Sequence, residues 1–248
     1  MTDGMHVLSA SPQANVLATL LTQTLRCSVT SATGPADLVR AFASTTRFDV
    51  AVVDLSWSAR DLEFRFDGFD VLQMMQDSAR TTPVIFAALG LRIEQDFVDE
   101  IPAHPEVAGL IRKAGGPRLV IEAVQIGAAG RRLPPGRYPL GARTDGYALS
   151  GYFGSGRRGR TAGLLAGAVA SGRTFDARSL QQATGIPLNT ANKLTAYLAP
   201  LIRARSEVLE GSPVTAAVVY RWCGEHAHYL LSWCRRHGFA EVATRFVL

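Results

Sequence analysis

The sequence predicts an α/β fold, a doubly wound five-stranded parallel sheet, followed by an all-α domain with a helix-turn-helix. Three observations predict it. Short apolar runs alternate with helix-period stretches five times before residue 130. One run, Asp49-Val50-Ala51-Val52-Val53-Asp54, has the near-continuous β-branched character of a strand buried on both faces of a parallel sheet. The charge then reverses along the chain. Residues 1–130 hold 10 Lys and Arg against 15 Asp and Glu, a net of −5; residues 131–248 hold 16 against 6, a net of +10. Two domains with different partners are expected, the second facing a polyanion.

Each element follows from its pattern. His6–Ala10 reads as a first buried strand, and the helix after it, from about Ala14 to Leu25, carries Val16, Leu17, Leu20, Leu21 and Leu25 on one face. Cys27–Thr30 is a weaker strand and Ala36–Ser44 a helix. After the Asp49–Asp54 strand come a helix over Phe69–Gln76, a strand over Pro83–Ala88 and a short helix over Glu94–Ile101. Val107–Ile111 is the fifth strand, and Pro117–Ala128 closes the domain as a helix. The boundaries predicted are 1–133 for this domain, 134–160 for a linker and 161–248 for the helical domain.

Composition excludes several classes. A chain of 248 residues, 47% hydrophobic, can bury one core or two small ones. Mean hydropathy is +0.10, yet no apolar run approaches the ~20 residues that a membrane helix needs. Met1–His6 lacks the basic opening of a secretory signal. Three cysteines suggest no disulfide framework, so a cytoplasmic protein is expected. No nucleophile–base pair or carboxylate cluster stands out, so no enzyme and no cofactor is expected.

Function in a doubly wound sheet collects at the carboxyl ends of the strands. Asp54 ends the third strand and Lys113 follows the fifth. The turn Asp67-Gly68-Phe69, the stretch Gly109-Leu110-Ile111-Arg112-Lys113-Ala114 and the exit Gly130-Arg131-Arg132-Leu133-Pro134-Pro135 complete a pattern over about 130 residues. It resembles the receiver domain of bacterial response regulators of the NarL/LuxR type. The resemblance implies a phosphoacceptor at Asp54 with Lys113 beside it, but three positions are degenerate. The acidic pair that would hold Mg²⁺ reads Ser11 and Pro12, and the switch Ser/Thr reads Ala88. A hard, oxygen-seeking cation should bind poorly with Asp54 almost alone. Asp54 and Lys113 are therefore expected to form an inactive ion pair, and the crevice above them to be open to another ligand, with Trp57 and the long loop after Asp54 near it.

From Pro134 to Arg160 the chain is rich in Gly, Pro, Arg and Tyr and reads as a linker. Gly154-Ser155-Gly156-Arg157-Arg158-Gly159 matches a dinucleotide-binding spacing, but without the strand and downstream acid that such a site requires. A flexible basic hinge is expected there. Its Arg157, Arg158 and Arg160 could touch phosphates or form a solvated turn.

Thr161–Ser171 then reads as a helix stopped by Gly172, followed by a helix capped by Asp176, a turn at Gly185 and a second helix over Leu188–Leu198. Leu180, Ile186, Ala191, Leu194 and Leu198 fall where these helices must pack. The region resembles the DNA-binding domain of the same regulators and the wording of winged-helix repressors. Asn189, Thr190, Asn192, Lys193 and Thr195, with Arg203 and Arg205 further on, are the candidate contacts to double-stranded DNA. Asn suits adenine edges, Lys suits guanine or phosphate, and Thr suits either edges or backbone. A homodimer would place two such helices about one DNA turn (~34 Å) apart.

The remaining stretch, Val214–His237, can form one long helix or two, with an apolar face suited to dimerisation or to contact between domains. Its two Cys-x-x-His pairs lie ~16 Å apart on a continuous helix, too far to share one metal ion. The sequence thus points to a DNA-binding transcription regulator controlled without phosphorylation, through dimerisation or a small-molecule or protein ligand. The alternative is an interaction module whose basic half binds a protein.

Overall fold

The computed structural model describes residues 4–134 and 148–243. They divide into two compact units. The first comprises residues 4–94 and 101–134, and the second residues 95–100 and 148–243.

The first unit is the predicted doubly wound sheet. Its strands are β1 (Met5–Ala10), β2 (Cys27–Ala32), β3 (Val50–Asp54), β4 (Val84–Ala88) and β5 (Val107–Arg112). All neighbouring strands run parallel, in the order β2-β1-β3-β4-β5. That order belongs to the flavodoxin-like and receiver folds, whose order reverses at β1 and β3. The helices are α1 (Ala14–Thr24), α2 (Pro35–Ala43), α3 (Gly68–Asp77) and α5 (Pro117–Ala128). Val7, Leu21, Val50, Val52, Ile85, Ile111 and Val124 form one buried cluster, built from the strands, α1 and α5. Registers such as Asp54 opposite Ala87 bring the ends of β3 and β4 level.

The second unit is helical. It includes α4 (Gln95–Glu100), which lies between β4 and β5 in sequence but packs with the later helices. These are α6 (Leu149–Gly154), α7 (Gly156–Ala170), α8 (Ala177–Thr184), α9 (Leu188–Ala191), α10 (Leu194–Ala204), α11 (Ala216–Glu225) and α12 (Ala227–Arg236). The central helix is α7, buried continuously from Ala162 to Ala170 and packed against α6, α8, α10, α11 and α12. Its small residues permit this. A Cβ on Gly163 would come within 2.5 Å of the Trp233 ring, and one on Gly167 would collide with Cys234 Sγ.

Four expectations need correction. The linker does not extend to Arg160, because Leu149–Gly154 and Gly156–Ala170 are helical; residues 135–147 lie outside the described residues. The Glu94–Ile101 helix belongs by its packing to the second unit. The second helix of the helix-turn-helix is not continuous over Leu188–Leu198, but turns at Asn192 and Lys193. Finally, the apolar face of Val214–His237 is spent inside the unit: Val219, Trp222, Tyr229, Leu230 and Trp233 are all buried. His226 divides that stretch into α11 and α12.

The α4 segment is placed by charge. Asp96, Asp99 and Glu100 are all buried, and buried carboxylates require partners. Arg205 Nη2 donates to Asp96 Oδ1 at 2.6 Å, and Arg205 Nε donates to Glu207 at 3.0 Å. The His226 ring meets Asp96 Oδ2 at 2.5 Å. Arg236 grips Glu100 with both terminal nitrogens, at 2.7 and 3.0 Å, while the Tyr229 hydroxyl donates to the same carboxylate at 2.6 Å. Burial works against a charged His226, but hydrogen bonds and charge from Asp96 and Glu207 more than offset it and push its pKa up to about 9.

Candidate functional site

At the carboxyl end of the sheet, Asp54 closes β3 and is buried. Three side chains converge on it. Ser11, just after β1, donates its hydroxyl to Asp54 Oδ2 at 2.6 Å, and Lys113, just after β5, places Nζ 2.5 Å from the same oxygen. Trp57 is buried, not exposed on its loop, and its Nε1 donates to the Asp54 carbonyl at 3.1 Å. Gly68 at the start of α3 lets that helix close on the strand end, since a Cβ there would lie 2.6 Å from the Asp54 carbonyl oxygen. Asp67 caps α3 through the Phe69 and Asp70 amides.

The electrostatics are those of a closed ion pair. Burial raises the Asp54 pKa, while Lys113 and Ser11 pull it down without fully cancelling the effect. Glu94 is the nearby carboxylate that could assist a cation, but it is fully engaged. It accepts from Ser56 Oγ at 2.7 Å and from the amides of Leu89, Gly90 and Leu91. The Mg²⁺ that receiver chemistry uses does not fit this donor set. Ser11 and Pro12 supply no carboxylate, and Oδ2 of Asp54 is already shared by a hydroxyl and an ammonium. Ala88, at the end of β4, offers no hydroxyl to a phosphoryl group.

Next to the pair lies a crevice of 380 Å³ between α1 and α5. Leu17, Leu20, Val52, Ile111 and Val120 line it, and Asp54, Ser11 and Lys113 give it one polar side. Its size and character suit a small, mostly apolar molecule.

The second candidate site is the helix-turn-helix. Asp176 caps α8, accepting from the Ser179 amide at 2.7 Å. Gly185 ends α8 in the left-handed conformation (φ 68°), a backbone shape that glycine adopts without strain. Leu180, Ala191, Leu194 and Leu198 are buried, and Ile186 is half-buried. Asn189, Asn192 and Lys193 are exposed, and Thr190 and Thr195 are half-buried. The turn at Asn192–Lys193 means that these residues sit on a short helix, a turn and the first residues of α10, not along one helix.

Two arginines separate further along. Arg203 is exposed in the last turn of α10. Arg205 is 2% exposed and engaged by Asp96, Asp99 and Glu207, so it has no free face for a phosphate and leaves the candidate interface. Sequence reasoning missed this because the partners in α4 lie more than 100 positions away.

No family model and no curated protein matches the chain. Several solved structures are similar to it. A Francisella response regulator receiver domain shares 18% identity, covering 51% of this chain and 98% of its own, with a TM-score of 0.40. The Salmonella typhimurium response regulator RcsB shares 15% identity over 90% of this chain and 100% of its own, with a TM-score of 0.48. A structure of two RcsB dimers bound to two parallel DNAs shares 13% identity over 90% and 98%, with a TM-score of 0.49. By its own strand order, with Asp54 ending β3 and Lys113 following β5, the first unit has the receiver fold.

Proposed function

We propose that this protein is a DNA-binding transcription regulator built like a response regulator, whose receiver-like unit acts without phosphorylation. The observation that carries the reading is the exposed polar stretch Asn189, Asn192 and Lys193 directly after a tight left-handed turn, on a scaffold of buried Leu180, Ala191, Leu194 and Leu198. Such a stretch can enter a major groove while the helices behind it stay packed. The carboxamides of Asn189 and Asn192 suit adenine edges, and Thr190 and Thr195 suit base edges or backbone.

Control would come from dimerisation or from a ligand or protein partner at the receiver-like unit. The Ser11–Asp54–Lys113 arrangement supports this, because it satisfies the carboxylate without metal or phosphate. The 380 Å³ crevice offers a ligand a place beside it.

The test is selection of bound fragments from genomic DNA, followed by affinity measurements on the selected sequence and on random DNA. The wild-type chain should prefer the selected sequence by at least ~10³-fold. Asn189→Ala should relax that preference, at a cost of about 1–3 kcal/mol on the selected sequence. A chain that binds all DNA alike, or none, would instead favour a protein partner for the basic half. Acetyl phosphate with Mg²⁺ should neither label Asp54 nor change DNA affinity; labelling that strengthens binding would refute control without phosphorylation.

A further inference from the structure

The segment Gly154-Ser155-Gly156-Arg157-Arg158-Gly159-Arg160 is neither a hinge nor a nucleotide loop. It is a tight corner between α6 and α7. Gly156 turns the chain at φ 77°, and any Cβ on Gly159 would collide with the Tyr152 carbonyl at the end of α6. Phe153 anchors the corner in the core, its ring 5.2 Å from that of Trp233.

The corner is also tied to α10, through a defect in that helix. Pro200 has no N–H to donate to the carbonyl four residues earlier, that of Ala196. Arg158 Nη2 supplies a donor there at 3.3 Å, with its guanidinium 5.4 Å from the centre of the Tyr197 ring. The Tyr152 hydroxyl donates to the next carbonyl, that of Tyr197. These contacts hold Arg158 against the helix-turn-helix, with Arg157 before it in the first turn of α7.

The result is a groove of 630 Å³ whose lining includes Arg157, Arg158, Thr161, Thr190, Lys193 and Tyr197 and, among the described residues, no carboxylate. Arg157 and Arg158 are exposed, and among the described residues neither they nor Lys193 forms an ion pair. Arg157, Arg158 and Arg160 also stand at the start of α7, where no acidic residue accompanies them. Cations at a helix N-terminus oppose the macrodipole. The fold offsets part of this charge, through the Ala196 carbonyl and Tyr197 ring for Arg158 and the His237 carbonyl and Phe239 ring for Arg160, and an external anion would offset the rest.

We propose that this groove seats phosphates of the DNA backbone, with Arg157, Arg158 and Lys193 clamping the strand beside the bases that Asn189 and Asn192 read. The assignment rests on the DNA-binding reading and deepens it. Arg157 and Arg158 become backbone contacts, and Lys193 moves from base reading to phosphate. Phosphate contacts set register and affinity and carry no sequence preference of their own.

The experiment measures affinity against KCl concentration for the full chain, on a selected fragment and on random DNA. Arg157→Gln makes the cleanest variant, since the Arg157 side chain has no role in holding the corner; R157Q/R158Q removes both guanidinium groups. Each lost phosphate contact should flatten the log–log salt dependence by about 0.9, so about 0.9 for the single and about 1.8 for the double variant. Affinity should fall by the same factor on both DNAs, leaving the preference intact. Thermal unfolding monitors the fold, and the single variant decides the matter if the double melts early. An unchanged slope in a folded R157Q chain, with wild type binding DNA, overturns this assignment and leaves the DNA reading standing. So does tripolyphosphate binding that R157Q/R158Q loses while DNA affinity stays the same, since the groove then takes a free anion. If wild type binds no DNA at all, the DNA reading fails and this assignment with it.

Discussion

Asp54 and Lys113 are unequal partners, because the Asp54 side chain is 8% exposed and that of Lys113 33%. Removing the lysine strands a desolvated carboxylate, whereas removing the carboxylate leaves an ammonium that can turn to water. Lys113→Met is therefore expected to cost about 1–2 kcal/mol, below the ~3–5 kcal/mol of a fully buried pair because solvent screens Lys113. Asp54→Asn should cost less, since Ser11 and the amide can still bond. Urea unfolding of the two variants gives the comparison, and a larger loss for Asp54→Asn would contradict this account. At Arg205 the expectation is different. Arg205→Ala leaves Asp96, Asp99 and Glu207 without their shared cation and should destabilise the second unit by about 3–5 kcal/mol. Arg203→Ala should leave stability nearly unchanged. If the two arginines prove equivalent in thermal unfolding, the buried cluster is not what secures α4.

The elements differ in how openly the sequence announces them. The central strands β3 and β4 stand out because a strand buried on both faces must be a near-continuous apolar run, while β2, only partly buried, was the weaker signal; the bounds of all five agree with the reading to within a residue or two. The helix caps were legible too, because Asp176 and Gly185 act through local chemistry. By contrast, Leu149–Gly154 carries two glycines in six residues and no helical period, so α6 was invisible. It forms because Phe153 and Leu149 are buried against distant residues. The Asn192–Lys193 turn was missed because the leucine and alanine spacing of Leu188–Leu198 suits one helix as well as two. The candidate site divides in the same way. Asp54, Lys113 and the helix-turn-helix were readable from local pattern; Arg157 and Arg158 were readable as possible phosphate contacts on a basic hinge, and only the corner between α6 and α7 brings them beside Thr190 and Lys193. The small residues of α7 yield a prediction at this scale. Gly167→Val must displace Cys234 from the α7–α12 contact and should cost about 1–3 kcal/mol or more. A thermal midpoint equal to that of wild type would mean that the two helices do not approach so closely.

For the whole molecule, the modest +5 charge averages an acidic first half and a basic second half, but the packing redistributes it. Three carboxylates of the acidic half, Asp96, Asp99 and Glu100, are buried inside the basic helical unit, where they neutralise Arg205, His226 and Arg236. The basic charge left on the surface includes Arg157, Arg158, Lys193 and Arg203, the residues assigned to DNA or placed beside it. This cluster also sets a pH dependence. His226 is raised from 6.5 to about 9, so its contribution is complete below about pH 6.5 and is lost as pH rises through about 9. Glu207 moves the other way, from 4.5 to about 2, because its hydrogen bonds from His226 and Trp222 outweigh burial; its contribution is present above about pH 4.5 and fades toward pH 2. Stability of the second unit should therefore fall by on the order of 1–3 kcal/mol between pH 7 and 9.5. His226→Gln should abolish most of that slope, and a variant that keeps it would move the titration elsewhere.

No helix among the described residues is long and apolar enough to cross a membrane, and the central claim concerns DNA. The most direct measurement is the affinity of the full chain for a selected genomic fragment and for random DNA, with and without acetyl phosphate and Mg²⁺. The account predicts a strong preference for the selected fragment, reduced by about 1–3 kcal/mol in Asn189→Ala and indifferent to the phosphodonor. Equal affinity for both DNAs, or a preference that appears only with phosphate on Asp54, would contradict it.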